Sequence, residues 1–404
     1  MNLLFVHQNF PGQFRHVAPH LAAQGHRVVA LGHDRTEAMP GVRVVSYALA
    51  RGNTAGVHPL AREFETKVLR AEACAQAAEQ LKREGFTPDV IFAHPGWGEA
   101  MYLKAVFPQA RLVCLMEYFY RAQGQDLGFD PEFPAPTLHD AARLQAKNAN
   151  LLLAMDAMDV GIAATPWQAR VLPDWARAKT RILHEGVDTR EVAPDAKARI
   201  QLPDRNVVVR PGDEVLTFVA RNLEPVRGYH IFMRALPRIL RARPGARVFI
   251  VGGDGTSYGA PPRGRSYRQQ YLAEVARELD PQRVHFMGKV PRNVFVRLMQ
   301  TTRCHVYLTY PFVLSWSMLE AMSAGAVVVG SNTPPVADVI THGENGLLTD
   351  FFDVEALAQT VIGVLAEPQR LGRLREHARR TIVQGYDLRQ VCLPGYEALL
   401  RDVA

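Results

Sequence analysis

Short apolar runs alternate with helical patterns along the whole chain, and this alternation constrains the fold more than any other feature. In the first half the apolar runs lie at residues 2–7, 27–32, 42–47, 90–95, 111–117 and 160–165. In the second half they lie at residues 215–220, 246–253, 283–288, 304–310, 326–330 and 346–350. Helical patterns at 13–24, 57–84 and 136–155 separate several of the first-half runs. A strand–helix–strand succession predicts parallel, doubly wound sheets, so the expected fold class is α/β.

The length and one polar stretch predict two domains. A chain of 404 residues exceeds what a single core usually holds. Residues 193–214 carry three prolines and many charges and are predicted to be a linker. They separate a Rossmann-like domain at 1–192 from a second one at 215–386. The amphipathic end, 387–404, is predicted either to cap the second domain or to cross back to the first. Two such domains facing each other would leave a cleft at the C-terminal ends of their strands, where open α/β sheets bind ligands.

The basic excess lies in the second half of the chain. The formal net charge is +7; residues 1–194 hold 20 basic and 20 acidic residues, whereas residues 195–404 hold 27 and 20. This surplus suits a phosphate-bearing ligand or an anionic membrane surface. It equally suits a surface whose charge only keeps the protein in solution.

The sequence predicts a cytoplasmic protein. The first ten residues, MNLLFVHQNF, lack a basic region and a long apolar core, so they are predicted to form a strand and not a signal peptide. The most apolar stretch is interrupted by Asp156 and Asp159, which argues against a membrane span. The cysteines have no metal-type spacing and are predicted to be buried thiols of a reducing compartment: Cys74, Cys114, Cys304 and Cys392.

Two arginines mark a candidate phosphate site in the second half. Arg221 and Arg227 flank a loop between an apolar run and a helical pattern that begins near Gly228. Guanidinium groups beside a helix N-terminus would cradle a diphosphate, because both donate hydrogen bonds to anionic oxygens. In an arginine-rich chain they could equally be solvated loop residues. The glycine-rich turn VGGDGTSYG, which includes Gly253 and Asp254, would allow close backbone approach to a ligand, although such turns are common.

Three first-half positions are candidates of the same kind. Gly12 lies in the first strand-to-helix turn, where a helix N-terminus can meet phosphate or sugar. His94 ends an apolar run before a Pro-Gly turn and could bind substrate or transfer a proton. Glu117 ends the next run. A plain tight turn and a structural histidine are equally compatible with these patterns.

Glu320 has two interpretations. Ser317 and Glu320 fit the S-x-x-E pattern of a capping box, in which the serine caps a helix and the glutamate reaches back. Alternatively, free N–H groups around 314–317 would hold phosphate or sugar oxygens, and Glu320 would accept both hydroxyls of a ribose. The spacing alone does not choose between them.

Taken together, these segments resemble glycosyltransferase family 4, the retaining nucleotide-sugar transferases of the two-domain GT-B fold. The matching segments occur in the family's order and cover most of the chain. They are the first glycine turn, HEGVDT at 184–189, the pair Arg221 and Arg227, GGDG, FMGKVP at 286–291, LEAMSAG at 319–325, TPPVADVI at 333–340 and NGLLTDFFD at 345–353.

The resemblance implies a role for each candidate residue. Arg221 and Arg227 would bind the donor diphosphate, with arginine at 227 where the family more often has lysine. The backbone near Lys289 and Val290 would meet the nucleobase, next to the turn with Gly253 and Asp254. Glu320 would bind the ribose and His94 the sugar near the reacting carbon. Gly12 and Gln13 would close over the phosphates.

One position departs from the family pattern. Many members have E-x7-E, with the first glutamate on the donor sugar, but here that position is Phe312, within a PFVLSWS segment that resembles a bacterial subgroup. The backbone amides of the next four residues, which do not depend on side chains, can still serve sugar and phosphate: Val313, Leu314, Ser315 and Trp316.

The resemblance implies a hexosyl transfer from a nucleoside-diphosphate sugar to a glycan, lipid-linked or small-molecule acceptor, with retention of anomeric configuration. No metal or other cofactor is expected, because the sequence has no Asp-x-Asp or histidine cluster and the arginines would take the place of a divalent ion. No nucleic-acid partner is expected, and peripheral attachment to the inner membrane surface is left open. The alternatives are a nucleotide-sugar epimerase or an inverting transferase on the same fold, and a non-catalytic sugar-nucleotide binding protein.

Overall fold

The chain folds into two compact units, each with its own parallel sheet. The computed structural model describes residues 1–33, 36–202, 207–259, 261–262 and 264–403. Unit 1 comprises Met1–Gly186 and Leu388–Ala404, and unit 2 comprises Val187–Asp387. Every apolar run predicted to be a strand overlaps an observed strand, so the α/β prediction is confirmed.

Unit 1 is built on a parallel sheet with the strand order β3-β2-β1-β4-β5-β6-β7. The strands are β1 (Asn2–Val6), β2 (Arg27–His33), β3 (Val42–Tyr47), β4 (Val90–Ala93), β5 (Arg111–Leu115), β6 (Val160–Ala163) and β7 (Thr180–Ile182). The helices are α1 (Val17–Ala23), α2 (Pro59–Arg83), α3 (Leu103–Val106), α4 (Leu138–Lys147), α5 (Ala149–Ala157), α6 (Pro166–Arg170), α7 (Asp174–Arg177) and, at the end of the chain, α15 (Leu393–Val403).

The central strands of unit 1 are buried on both faces, as expected for a parallel sheet under helices. All four residues of β4 are buried, and so are the last four of β1. The C-terminal helix α15 completes this core: Leu393, Tyr396 and Leu399 belong to the same apolar cluster as Phe92. Of the two positions left open for the C-terminal segment, the structure therefore places it in the unit that contains the N-terminus.

Unit 2 repeats the arrangement with the strand order β12-β11-β10-β13-β14-β15. Its strands are β8 (Ile200–Leu202), β9 (Val207–Val209), β10 (Val215–Asn222), β11 (Arg247–Gly253), β12 (Val284–Gly288), β13 (Cys304–Tyr307), β14 (Val327–Ser331) and β15 (Leu347–Thr349). Its helices are α8 (Tyr229–Ala242), α9 (Tyr267–Val275), α10 (Arg292–Thr301), α11 (Trp316–Ser323), α12 (Pro334–Ala337), α13 (Val354–Ala366) and α14 (Gly372–Gly385).

The stretch 193–214, predicted to be a linker, is instead part of unit 2. Strands β8 and β9 pair with each other in antiparallel register. Ile200, Val207 and Val209 are buried in the core of unit 2, whereas Val208 between them is 45% exposed. The alternation buries one face of this hairpin, and the prolines and charges around it hid that pattern. Residues 203–206 lie outside the described part of the chain.

The strand order reverses once in each sheet. In unit 1 the reversal lies between β1 and β4, and in unit 2 between β10 and β13. Ligands of doubly wound sheets bind at the carboxyl ends of the strands at such a reversal. A ligand site is therefore expected at the residues that follow these four strands.

Two further observations concern sequence predictions. The four cysteines are buried thiols outside any disulfide, as expected. Among the described residues, no helix combines the length and the apolar character needed to cross a bilayer.

Candidate functional site

His7 and His94 lie at the reversal of the unit 1 sheet, because His7 directly follows β1 and His94 directly follows β4. Both are 2% exposed, and their rings meet edge to face with centroids 5.2 Å apart. The Trp97 ring contacts both, with centroids 4.9 Å from His7 and 4.4 Å from His94. The turn after β4 thus presses an aromatic side chain against the two imidazoles.

The hydrogen bonds of His7 fix its tautomer. The Asn9 N–H donates to Nδ1 at 3.0 Å, so Nδ1 carries no proton. The proton of the neutral ring is then on Nε2, which lies 2.8 Å from Gln13 Oε1 and donates to it. Burial, with His94 close by, lowers the pKa of His7 to about 3. His7 is therefore neutral near pH 7 and acts as a fixed donor.

Glu117 connects this network to His94. Gln13 Nε2 donates to Glu117 Oε1 at 3.0 Å, and Glu117 Oε2 lies 3.3 Å from His94 Nε2. The Gly96 N–H donates to His94 Nδ1 at 3.1 Å, so the proton of the neutral His94 ring is on Nε2, facing the carboxylate. Burial acts to raise the pKa of Glu117, but its contacts with the neighbouring histidines and Gln13 outweigh it and lower that pKa. Glu117 is thus a carboxylate near pH 7.

Gly12 is required by close packing in this network. Its φ is +47°, and a Cβ at this position would lie 2.3 Å from ring atoms of His7. The backbone of the first turn therefore covers the imidazole directly, as only glycine permits.

The structure brings all four unit 1 candidates, Gly12, Gln13, His94 and Glu117, to one place. Sequence reasoning missed His7, the residue that joins them. Its signal was the same as that of His94, a histidine directly after an apolar strand, and the strand order makes the two strands neighbours.

Arg227 is the buried cation at the reversal of the unit 2 sheet. It is 7% exposed, and its Nη1 donates to Tyr307 Oη at 3.3 Å, Thr309 Oγ1 at 3.0 Å and the Val313 carbonyl at 2.8 Å. Tyr307 ends β13 and Thr309 follows it, so the guanidinium bridges the ends of the two central strands. No carboxylate lies within 4 Å of it among the residues that the structure describes.

Arg221 and Lys289 are exposed cations near the same strand ends. The side chain of Arg221, the penultimate residue of β10, makes no ion pair or hydrogen bond within the described part of the chain. Lys289 follows β12, and a Cβ at Gly253 would lie 3.0 Å from Lys289 Cε. Lys289 therefore lies against the glycine-rich turn, while Val290 packs on the unit 2 core. Asp254 in this turn pairs with Arg268 at 3.1 Å.

Glu224 holds the glycine-rich turn in place, and the sequence analysis did not single it out. It is fully buried and accepts hydrogen bonds from the N–H groups of Ser257, at 3.2 Å, and Tyr258, at 2.9 Å. Asn222 Nδ2 donates to Ser257 Oγ at 2.6 Å. Burial raises the pKa of Glu224 although these bonds act against it.

The capping-box interpretation of Ser317 and Glu320 is wrong. Helix α11 begins at Trp316, and its N-cap is Ser315, whose Oγ accepts from the Ser317 N–H. Glu320 instead pairs with Arg292 Nη1. Arg292 also pairs with Glu191 at 2.8 Å. Glu320 is 7% exposed, and burial raises its pKa although Arg292 acts in the opposite direction.

The amides before α11 are only partly available to a ligand. The Ser315 N–H donates to Tyr307 Oη at 2.6 Å, which removes one of the four predicted amides. The N–H groups of Val313, Leu314 and Trp316 have no acceptor among the described residues. These three donors and a helix N-terminus lie in one short segment, a suitable arrangement for anionic oxygens.

Comparison with known proteins now gives the family. The sequence model described as "Glycosyl transferase family 4 group" matches residues 24–192, and that described as "Glycosyl transferases group 1" matches residues 201–381. The chain belongs to the glycosyltransferase family 4 group.

Sequence identity to individual relatives is below 30%. A glycogen synthase of Mycobacterium tuberculosis is 28% identical over 183 residues, which cover 45% of this chain and 41% of that protein. A D-inositol 3-phosphate glycosyltransferase of Mycolicibacterium paratuberculosis is 25% identical over 372 residues, covering 87% of this chain and 76% of that one. The first of these matches thus spans less than half of the relative.

Solved structures share the fold at low sequence identity. Sucrose-phosphate synthase from Thermosynechococcus elongatus superposes with a TM-score of 0.75 at 17% identity, covering 99% of this chain and 98% of that one. Anabaena HepE, in complex with UDP and glucose, superposes with a TM-score of 0.65 at 18% identity, covering 99% and 100%. The GT-B fold class expected from the sequence is confirmed.

The Phe312 side chain is packed in place beside Arg227. It is 6% exposed, and its ring packs against Tyr258 with centroids 4.6 Å apart. The Arg227 guanidinium carbon lies 5.4 Å from each of the two ring centroids. Phe312 is therefore an aromatic wall beside the buried cation, where an acidic residue would have offered it an ion pair.

Proposed function

We propose that the protein transfers a sugar from a nucleoside-diphosphate sugar to an acceptor. The observation that carries this proposal is the concentration of donors at the strand reversal of unit 2. There the Arg221 guanidinium and the N–H groups of Val313, Leu314 and Trp316 have no acceptor among the described residues. Arg227 adds a buried positive charge.

Each part of the donor matches a group of unit 2. Arg221 and Arg227 would bind the diphosphate, Glu320 the ribose hydroxyls and the segment at Lys289 and Val290 the nucleobase. Relatives support this donor class: HepE forms complexes with UDP and with UDP-glucose, and a mycobacterial relative is a GDP-mannose-dependent mannosyltransferase.

The bond between the anomeric carbon and the diphosphate oxygen breaks as the acceptor oxygen bonds to that carbon. The cations then stabilise the charge that develops on the diphosphate, and one such donor typically contributes about 3–4 kcal/mol to transition-state stabilisation. We propose that this needs no divalent ion. We also propose transfer with retention, in which the departing phosphate oxygen takes the acceptor's proton. The carboxylates of unit 2 near the strand ends support this, because Glu224 and Glu320 are both engaged by protein donors.

In unit 1, we propose that His94 contacts the transferred sugar and that Gln13 and Glu117 hold it in position. A second candidate reaction is favoured by one observation, since Glu117 is a carboxylate that is 37% exposed and lies beside His94. Such a group could act as the base of an inverting transfer. The anomeric configuration of the product, measured by proton NMR, decides between the two reactions.

The test of donor binding is a thermal-shift panel of UDP, GDP, ADP and CDP with and without EDTA. We expect one nucleotide to stabilise the wild type independently of EDTA, and Arg221→Ala to lose this shift and the transfer activity. Arg297→Ala, an exposed arginine of α10, is the matched control. Near-normal turnover of Arg221→Ala, or a shift that requires a divalent ion, would contradict the proposal.

A further inference from the structure

A small pocket of unit 1 opens beside the His94–Glu117 pair. Its volume is about 50 Å³, and two lysines, Lys67 of α2 and Lys147 of α4, line it together with His94 and Glu117. One water needs about 10–15 Å³ of such volume, so the pocket has room for a group of a few non-hydrogen atoms. The transfer chemistry proposed above does not use either lysine.

Lys67 is a buried cation with unused donors. The residue is 8% exposed, and its Nζ donates to the Gly96 carbonyl at 2.8 Å. An ammonium has three N–H donors, and the carboxylate of Glu63, at 3.8 Å, is beyond hydrogen-bond distance. Burial lowers the pKa of Lys67, which is the cost of holding this charge away from water. Two donors of a buried ammonium therefore lack an acceptor within the described part of the chain.

Lys147 brings a second positive charge to the same place. Its Nζ lies 3.9 Å from the same Glu63 oxygen that Lys67 approaches, and 4.2 Å from the centroid of the Tyr120 ring. Tyr120 also lines the pocket, whereas Glu63 does not. The two ammonium groups thus share one distant carboxylate, and the aromatic ring positions one of them at the wall.

We propose that this pocket binds an anionic group, a phosphate or a carboxylate, carried by the acceptor. An anion between the two ammonium groups would accept the unused N–H donors, and such charge-assisted bonds are stronger than those to a neutral hydroxyl. Glu117 on the same wall repels the anion, so the charged end of the acceptor lies at the lysines and its neutral part lies toward His94. This inference rests on the proposed transferase function, since it names the acceptor class of that reaction.

The test measures binding and needs neither donor nor turnover, so it can fail or succeed independently of the transfer reaction. The full chain is titrated by calorimetry with glucose 6-phosphate, glucuronate, inorganic phosphate and glucose. We expect at least one anionic probe to bind with a Kd of about 1 mM or tighter, and glucose to bind at least tenfold more weakly. A response to phosphates alone, or to the carboxylate as well, distinguishes the two sources of the charge.

Substitutions of the pocket residues test where the anion binds. Lys67→Met and Lys147→Met should each weaken binding of the anionic probe by about tenfold or more, the typical effect of losing a charged hydrogen bond. Lys82→Met is the matched control, because Lys82 lies on the same helix and also donates to a backbone carbonyl, that of Val106, at 2.9 Å. Glu63→Gln should tighten binding, since it removes the competing carboxylate.

Several outcomes would overturn the inference. One is that no anionic probe binds, or that glucose binds as tightly as glucose 6-phosphate. Another is binding that Arg221→Ala abolishes and Lys67→Met leaves intact, which would place the anion in unit 2. Weaker binding in Glu63→Gln would contradict the charge argument. Hydrogen exchange of the unit 1 peptides, which contain Lys67, shows whether the Lys67→Met variant is folded.

Discussion

Replacing Arg292 by methionine tests the ion pair that holds Glu320. The Glu320 side chain is 10% exposed and that of Arg292 is 45% exposed. Methionine keeps most of the apolar stem and removes the charge, so Glu320 is left buried without its cation. Glu191, the other partner of Arg292, is 44% exposed and returns to water at little cost.

The expected loss follows from the exposure of the pair. Two unit charges about 4 Å apart attract each other by about 4 kcal/mol at the effective dielectric of a protein surface. Because nearly half of the Arg292 side chain is in water, we expect about half of this, ~2 kcal/mol, as the loss in unfolding free energy near pH 7.5. That corresponds to a roughly 30-fold larger opening constant for unit 2.

The loss of stability in Arg292→Met should depend on pH, in a direction set by the pKa of Glu320. Burial already raises the pKa of Glu320 above its usual value of 4.5, and without Arg292 it rises further. A carboxyl group whose folded pKa is raised stabilises the fold when protonated, and this contribution is lost as the pH rises through the folded pKa. The destabilisation of Arg292→Met should therefore be largest near neutral pH and shrink as the pH falls toward 5.

Hydrogen exchange read by mass spectrometry is the suitable assay, because it resolves peptides of unit 2 from those of unit 1. Arg297→Met on the same helix is the control and should change the exchange of α11 by less than about 0.5 kcal/mol. The same Arg292→Met change in a Glu320→Gln background should cost little. An equal penalty at both pH values, or in both backgrounds, would refute the assignment of the effect to this ion pair.

Three further predictions concern the groups that support the two strand reversals. Gly12→Ala should destabilise unit 1 by more than the roughly 1–2 kcal/mol of its backbone strain, and it should reduce turnover. Gly25→Ala is the control in the same exchange assay: its φ is +88° and the space around it is open, so only the backbone strain should appear. Glu224→Gln places an amide N–H against a buried N–H donor, so exchange at Tyr258 should accelerate and nucleotide binding weaken; unchanged exchange would contradict this. In Glu117→Gln, unit 1 should lose the stability that the Glu117 carboxylate contributes above its usual pKa of 4.5. In the wild type this contribution disappears as the pH falls below that value, so the variant should lose less stability on acidification. An unchanged acid denaturation profile would contradict the prediction.

The sheets were predictable because their strands are buried on both faces. An apolar run such as residues 90–95 has few alternatives to a central strand, and β4 is buried throughout. The strands that the sequence analysis missed lack this signature. In β7 two of three residues are exposed, and β8 and β9 alternate too briefly to stand out among prolines and charges.

The candidate site was predictable where a residue follows a strand, and not where it depends on a distant partner. His94 directly follows a strand in the sequence itself, and Arg227 lies in the short loop after another. The bonds of Glu224 to a turn more than 30 residues away, and of Arg292 to Glu320, exist only after the strands are paired. The cap of α11 shows the same limit locally: two serines compete for it, and the bond of the Ser315 N–H to Tyr307 favours the earlier one.

Phe312 gives a physical reason why the missing carboxylate does not argue against a phosphate site. An acidic residue at this position would lie beside the Arg227 guanidinium, whose carbon is 5.4 Å from the Phe312 ring centroid, and would neutralise it. With phenylalanine there, Arg227 is held by two hydroxyls and a carbonyl, all of them neutral, and keeps its full charge in a buried setting. A buried charge without a counter-ion is costly, and an anionic ligand relieves that cost. The substitution therefore removes a contact that the family pattern assigns to the sugar, and it leaves the buried charge of Arg227 to attract the diphosphate that we propose for unit 2.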